Sequence, residues 1–79
     1  MTLGFVKLCV DTGSDIVCVE MPSATTLRYA ALRVAEHLGL DTEANHYFLL
    51  EPRTFRRHDG QALAIDYAGA VFVLGEETL

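Results

Sequence analysis

The sequence has few of the residues that mark secreted, membrane-bound or nucleic-acid-binding proteins. Its 79 residues include two cysteines, two prolines and no tryptophan, and two cysteines are too few for the disulfide framework of a small secreted domain. Six basic side chains stand against eleven acidic ones, giving a formal charge of -5. Because that charge repels phosphate groups, we expect neither a nucleic acid nor a membrane surface as a partner.

Long apolar segments and clustered metal ligands are also missing. No apolar run approaches the ~20 residues that span a bilayer, and residues 1–4 lack the basic and apolar layout that opens a signal peptide. The cysteines and the three histidines do not have the spacing of zinc ligands. These absences predict a cytoplasmic protein with reduced thiols, no metal and no cofactor.

What the sequence does contain is a high apolar fraction, 51% of its residues. A chain of this length forms one small domain, residues 1–79, and leaves no room for a second core. Such a core gives only ~3–5 kcal/mol of net stability. We therefore expect nearly every apolar side chain either to pack in the core or to contact a partner.

The first part of the chain has the pattern of a β-hairpin. Residues 5–11 and 16–21 are rich in strand-forming side chains and flank a turn that contains Gly13. One register satisfies both faces, since it pairs apolar residues on one side and places opposite charges together on the other. It pairs Val10 with Val17, Leu8 with Val19, Val6 with Met21, Cys9 with Cys18 and Lys7 with Glu20.

A helix and further strands are predicted after the hairpin. Apolar residues recur at helical spacing from Leu27 to Leu38, after a segment of candidate N-cap residues at 23–26 and before Gly39. Three further segments are predicted as strands: residues 46–51, 70–74 and a short edge strand at 62–65. The pattern is typical of an α+β fold in which one helix packs across a mixed sheet of four to five strands.

Short motifs occur in a characteristic order along the chain. They are Phe5-Val6-Lys7, Thr12-Gly13, Pro22-Ser23, Phe48-Leu49-Leu50, Phe55, Asp59-Gly60, Leu63 and Asp66-Tyr67. In this order they resemble the ubiquitin-like family over nearly the whole chain. The size of the chain and its helix exit, residues 38–41, also resemble the small ubiquitin-like proteins encoded with bacterial secretion systems. The resemblance implies a β-grasp fold.

The resemblance also implies a protein-binding surface. In the family the last strand lies between the first and the third, and the helix covers only one face of the sheet. Strand alternation then predicts that the other face carries Tyr47, Leu49, Phe72 and Leu74, with Phe5 and Arg53 at the edge. A shift of one residue in the strand frame would turn these side chains inward instead.

We expect a protein-interaction module without catalytic activity, which binds partner proteins through this exposed apolar face of the sheet. A weak homo-oligomer through the same face is a further partner that the pattern allows. Covalent modifiers of the family, some encoded in bacterial operons, end in Gly-Gly, whereas this sequence ends in Leu79. The alternative function of a covalent modifier would therefore need proteolytic processing at Gly75.

Two other motifs suggest different functions. The sequence Asp11-Thr12-Gly13-Ser14 resembles the active-site motif of aspartic proteases, and a dimer would be needed to bring two copies of Asp11 together. The competing interpretation is a hairpin turn, in which these residue types are favoured. A basic cluster of Arg53, Arg56, Arg57 and His58 indicates either an acidic partner or a solvated loop.

Overall fold

The protein has an α+β fold in which a mixed four-stranded sheet carries one helix across one of its faces. The computed structural model describes residues 4–79, so most of the segment tested for a signal peptide lies outside the described residues. The elements are β1 (Phe5–Asp11), β2 (Ile16–Pro22), α1 (Leu27–His37), β3 (Asn45–Leu50) and β4 (Val71–Thr78), with a 3₁₀ turn at Ala64–Tyr67. The strand order is β2-β1-β4-β3.

The predicted hairpin register is confirmed at each of its five pairs. β1 and β2 are antiparallel, and Val10 lies opposite Val17 and Cys9 opposite Cys18. Side chains of Val6, Leu8 and Val10 are buried beneath the helix. The alternation of β1 therefore fixes which face of the sheet the helix covers.

The predicted helix is also confirmed. Its N-cap is Thr26, whose hydroxyl accepts a hydrogen bond from the backbone N–H of Tyr29 at 3.3 Å. The buried stripe consists of Leu27, Ala30, Ala31, Val34 and Ala35. Three alanines in this stripe let the helix backbone lie close to the sheet, and Gly39 ends the helix in the left-handed region with φ of 74°.

The predicted orientation of β3 and β4 is wrong by one residue. β4 lies parallel to β1 and pairs Phe72 with Val10, and paired residues of adjacent strands direct their side chains to the same face. Phe72 therefore points toward α1, as do Leu49 and Leu74, which pair with each other. The exposed fractions are 1% for Phe72, 2% for Leu49 and 5% for Tyr47. These three side chains belong to the core and not to the surface.

The predicted edge strand at 62–65 is replaced by a segment that packs beside the start of the helix. Leu27 donates to the carbonyl of Ala62, and Ala64 donates to the carbonyl of Thr25. These bonds place Ala64 in the core, fully buried, and the 3₁₀ turn begins there. The segment packs here because it supplies hydrogen-bond partners for the N–H of Leu27 and the C=O of Thr25, backbone groups at the start of α1 that have no partner within the helix.

The expectation of reduced thiols is wrong for this structure, since Cys9 and Cys18 form a disulfide. The two residues are direct cross-strand partners, and their Cα atoms lie 4.0 Å apart. Both side chains point away from α1, which brings the two sulfur atoms within bonding reach.

Among residues 4–79, no helix is long and apolar enough to cross a membrane.

Candidate functional site

The face of the sheet opposite α1 carries a row of side chains that crosses all four strands. Asp11 of β1 pairs with Ile16 of β2 and with Val73 of β4. Val73 in turn pairs with Leu50 of β3. Because partners share a face, these side chains lie side by side. Three of the four are apolar, which is unusual for a face left open to solvent.

A second row extends the apolar surface. Val71 pairs with Cys9, which is bonded to Cys18, so this row consists of a valine and a disulfide. Ile16 is 57% exposed and Val71 is 38% exposed, while Leu50 and Val73 are half-buried. We call Ile16, Leu50, Val71 and Val73 the open-face patch.

The patch is bounded on β3 by an aromatic and cationic cluster. The guanidinium of Arg57 lies 4.0 Å from the centre of the Phe48 ring, a distance typical of a cation–π contact. Arg57 also donates to Nε2 of His46 at 3.1 Å and lies 3.8 Å from the carboxylate of Glu77. These contacts fix the long side chain of Arg57 beside the patch.

The Phe48 ring occupies the space beside Gly75, its partner on β4. A Cβ atom at position 75 would collide with the Phe48 ring, with Cε2 and Cδ2 as its nearest atoms. Gly75 is buried, and the strand continues beyond it to Thr78. The glycine predicted as a processing point therefore lies inside a paired strand, and cleavage after it would remove the partners of Asn45, His46 and Tyr47.

A cavity of about 730 Å³ opens at the end of the patch, where β1 turns away from β4. Its lining includes Val73 on the open face, Leu74 on the helix face, and Phe55 from the loop after β3. The cavity reaches both faces because β1 pairs with β4 only as far as Asp11 and Val73. Phe55 is 63% exposed, so it adds a large apolar side chain to this end of the surface.

A carboxylate-capped turn holds Phe55 in place. Oε2 of Glu51 accepts hydrogen bonds from the backbone N–H groups of Thr54 at 2.7 Å and Arg53 at 2.8 Å. The bond from Thr54 lowers the pKa of the Glu51 carboxyl, because it favours the charged form. Phe55 then adopts a positive φ of 56° and donates to the carbonyl of Glu51.

The structure separates the residues predicted as the contact surface. Tyr47, Leu49 and Phe72 are buried under the helix, and Leu74 packs partly against the same core. Phe5 is exposed on the open face, but it lies four residues along β1 from Cys9, roughly 13 Å at the usual rise of a strand. Arg53 is exposed in the loop after β3. Its backbone N–H bonds to Glu51, but its side chain makes no hydrogen bond or ion pair with residues 4–79.

The patch residues were not predicted because polar and apolar residues do not alternate in the last strand. Residues 70–74 are all apolar, so both frames are compatible with the pattern. The usable signal lies in β1, where Cys9 alternates with the inward residues Leu8 and Val10 and pairs with Val71. Knowing the parallel register between β1 and β4 would have identified the patch.

Asp11 and its neighbours form the turn of the hairpin. Oδ1 of Asp11 accepts a hydrogen bond from the N–H of Gly13 at 2.8 Å, and Gly13 has φ of 94°. The backbone N–H of Thr12 donates to the carbonyl of Asp15 at 2.8 Å. The interpretation of this motif as a hairpin turn is confirmed.

Within residues 4–79, no three His, Cys, Asp or Glu side chains are grouped so that they could hold a metal ion. Comparison of the sequence with models of known protein families and with curated proteins found no match. The site is therefore interpreted from its geometry alone.

Proposed function

We propose that this protein is a ubiquitin-like interaction module with a β-grasp fold, which binds partner proteins through the open-face patch. The sheet order β2-β1-β4-β3, with a parallel central pair and one helix between the hairpin and β3, supports the β-grasp assignment. The module binds its partner without chemistry of its own.

One observation carries the proposal, namely that the row crossing all four strands, on the face that α1 leaves uncovered, is apolar at three of its four positions. Fully burying an aliphatic side chain contributes about 1.5–3 kcal/mol, and a partner would gain part of that at Ile16 and Val71, which are 57% and 38% exposed. A sheet face that only met water would gain stability and solubility from polar residues at these positions. The apolar side chains at these positions therefore favour a partner protein that packs over this face of the sheet as a second layer.

The rim of the patch indicates what the partner presents. Lys7 and Glu20 lie at one end of the same face, and Arg57 with Glu77 lies at the other. Charges of both signs surround a centre that is apolar apart from Asp11, and a charged rim around an apolar centre is the usual anatomy of a protein–protein interface. The partner surface is therefore apolar in the middle and carries charges of both signs at its border.

Site-specific photo-crosslinking in the cell that makes the protein tests the proposal. A benzophenone side chain is placed at Ile16 or at Val71, and as a matched control at Glu36 on the outer face of α1, which is also exposed. We expect the two patch positions to crosslink to the same protein and the control position not to do so.

A charge placed in the patch provides the second arm of the experiment. Val73→Lys should remove the adduct formed from Ile16, while the variant keeps its cooperative thermal transition, because Val73 lies outside the helix-facing core. If equal adducts form from Glu36, or if the Val73→Lys variant is folded and still crosslinks, the proposed function is wrong.

A further inference from the structure

A groove runs between α1 and the outer edge of β3, away from the open-face patch. Two adjoining cavities form it, of about 270 Å³ and 300 Å³, and they share Arg28, His46 and Tyr47 in their lining. The groove extends from the loop that contains His58 to the far end of β3, where Leu79 lies. None of the four residues of the open-face patch lines this groove, which shares His46, Phe48 and Arg57 with the border of the patch.

The outer edge of β3 is paired at only one end of this groove, where Leu50 and Arg57 form an antiparallel bridge. The carbonyl of Leu49 accepts a hydrogen bond from His58, so it faces away from β4. In an antiparallel pair the N–H and C=O of one residue face the same side, and alternate residues behave alike. The N–H and C=O of Tyr47 therefore face outward as well, and among residues 4–79 no backbone or side-chain group bonds to them.

The charge at this edge is opposite to that of the molecule as a whole. The chain has a formal charge of -5, yet the guanidinium groups of Arg28 and Arg57 line the cavity beside Tyr47, together with the imidazoles of His46 and His58. Asp59 is the one carboxylate of that lining, and its Oδ1 accepts a hydrogen bond from the N–H of Gln61 at 2.9 Å. Glu77 lies 3.8 Å from Arg57, whereas no carboxylate within the described chain lies within 4.0 Å of Arg28.

We propose that this groove binds an extended acidic segment of a partner protein, which adds to β3 as a further strand. Its backbone would pair with Tyr47, and its alternate side chains would point to the two sides of the new strand. One side meets Tyr29 and Leu32 of the helix, and the other meets His46 and Arg57. The segment that fits therefore alternates apolar and acidic residues.

The test uses synthetic peptides with blocked ends and the ¹⁵N-labelled protein. The first peptide alternates valine with aspartate over seven residues, and the second replaces each aspartate with lysine. We expect the acidic peptide to shift the amide signal of Tyr47 in a saturable way and the basic peptide to leave it unchanged. A third peptide, N-methylated at its central residue, should bind about tenfold more weakly, because it lacks a donor for the edge.

Two variants of the loop after β3 separate the groove from general electrostatics. Arg57→Glu should weaken the acidic peptide by about tenfold, whereas Arg53→Glu, an identical charge change at an exposed position outside the groove, should leave its affinity within about twofold. Val73→Lys should also leave the affinity unchanged, so that failure here is distinct from failure of the open-face proposal.

Several outcomes would overturn the inference. Binding of the lysine peptide with equal affinity would exclude charge recognition, and binding that is insensitive to N-methylation would exclude strand addition. If inorganic phosphate alone produced the same shifts and competed fully with the peptide, the groove would be a simple anion site. Absence of any shift at Tyr47 with millimolar acidic peptide would also contradict it.

Discussion

At the scale of single residues, the carboxylate of Glu51 links the chemistry of one side chain to the shape of the surface. It accepts hydrogen bonds from the backbone N–H of Arg53 and from both the backbone N–H and the hydroxyl of Thr54. These bonds close the turn that presents Phe55 beside the cavity at the end of the patch. Protonation of one exposed carboxyl therefore loosens a loop that borders the proposed interface.

The pKa of Glu51 should be measurably lowered in the folded protein. Since the folded pKa lies below the ordinary glutamate value of 4.5, the contribution of Glu51 to stability is present above that pH and is lost as the pH falls through the folded pKa. An NMR titration of the Glu51 side-chain carboxyl carbon should give a midpoint below 4.5. A midpoint at or above that value would show that the Thr54 hydrogen bond does not form in solution.

At the scale of the elements, β1 and β2 could be predicted in detail, whereas β3 and β4 could not. In the hairpin, the polar residues Lys7 and Glu20 alternate with buried ones, so only one register satisfies both faces. In β4, apolar residues stand on both faces from Val71 to Leu74. That run contains no polar residue to mark the outer side, and the register with β1 is a contact between distant parts of the chain.

The corrected orientation of these strands predicts that substitutions at neighbouring positions lower the free energy of unfolding by very different amounts. Phe72→Ala removes a fully buried ring and should lower the free energy of unfolding by about 3–5 kcal/mol, and Leu49→Ala by about 2–5 kcal/mol. Combining the two should abolish the cooperative transition, since the total stability of so small a domain is comparable. Thermal and urea denaturation of each variant measure these effects.

The matched control is Val71→Ala, next to Phe72 in the same strand. Because Val71 lies on the open face and is 38% exposed, its truncation should change stability by about 1 kcal/mol or less. A large loss at Val71 together with a small loss at Phe72 would show that the strand frame is the reverse of the one described.

The disulfide acts on the hairpin as a unit. Cys9 and Cys18 lie nine positions apart in sequence, and closing a loop of that size lowers the entropy of the unfolded chain by an amount worth about 2–3 kcal/mol. Reduction by dithiothreitol, or the Cys9→Ser and Cys18→Ser double variant, should lower the free energy of unfolding by that amount. Equal stability of the oxidised and reduced forms, measured by urea denaturation, would contradict this expectation.

At the scale of the whole molecule, one small sheet has two surfaces with different character. The open face presents apolar side chains, of which Ile16 and Val71 are the most exposed in the patch. The edge of β3 presents the unpaired backbone groups of Tyr47, with Arg28 and Arg57 lining the same groove. The high apolar fraction and the clustering of basic residues were both visible in the sequence, but the residues that form each surface depend on how distant strands pair.

The orientation of β3 and β4 underlies both proposals, and paramagnetic broadening of methyl signals tests it directly. A soluble gadolinium chelate broadens methyl groups that solvent can reach. We predict strong broadening for Ile16 and Val71, intermediate broadening for Val73, and little for Leu8 and Leu49, in line with their exposure. Strong broadening at Leu49 with protection of Val71 would contradict the assignment of the open-face patch.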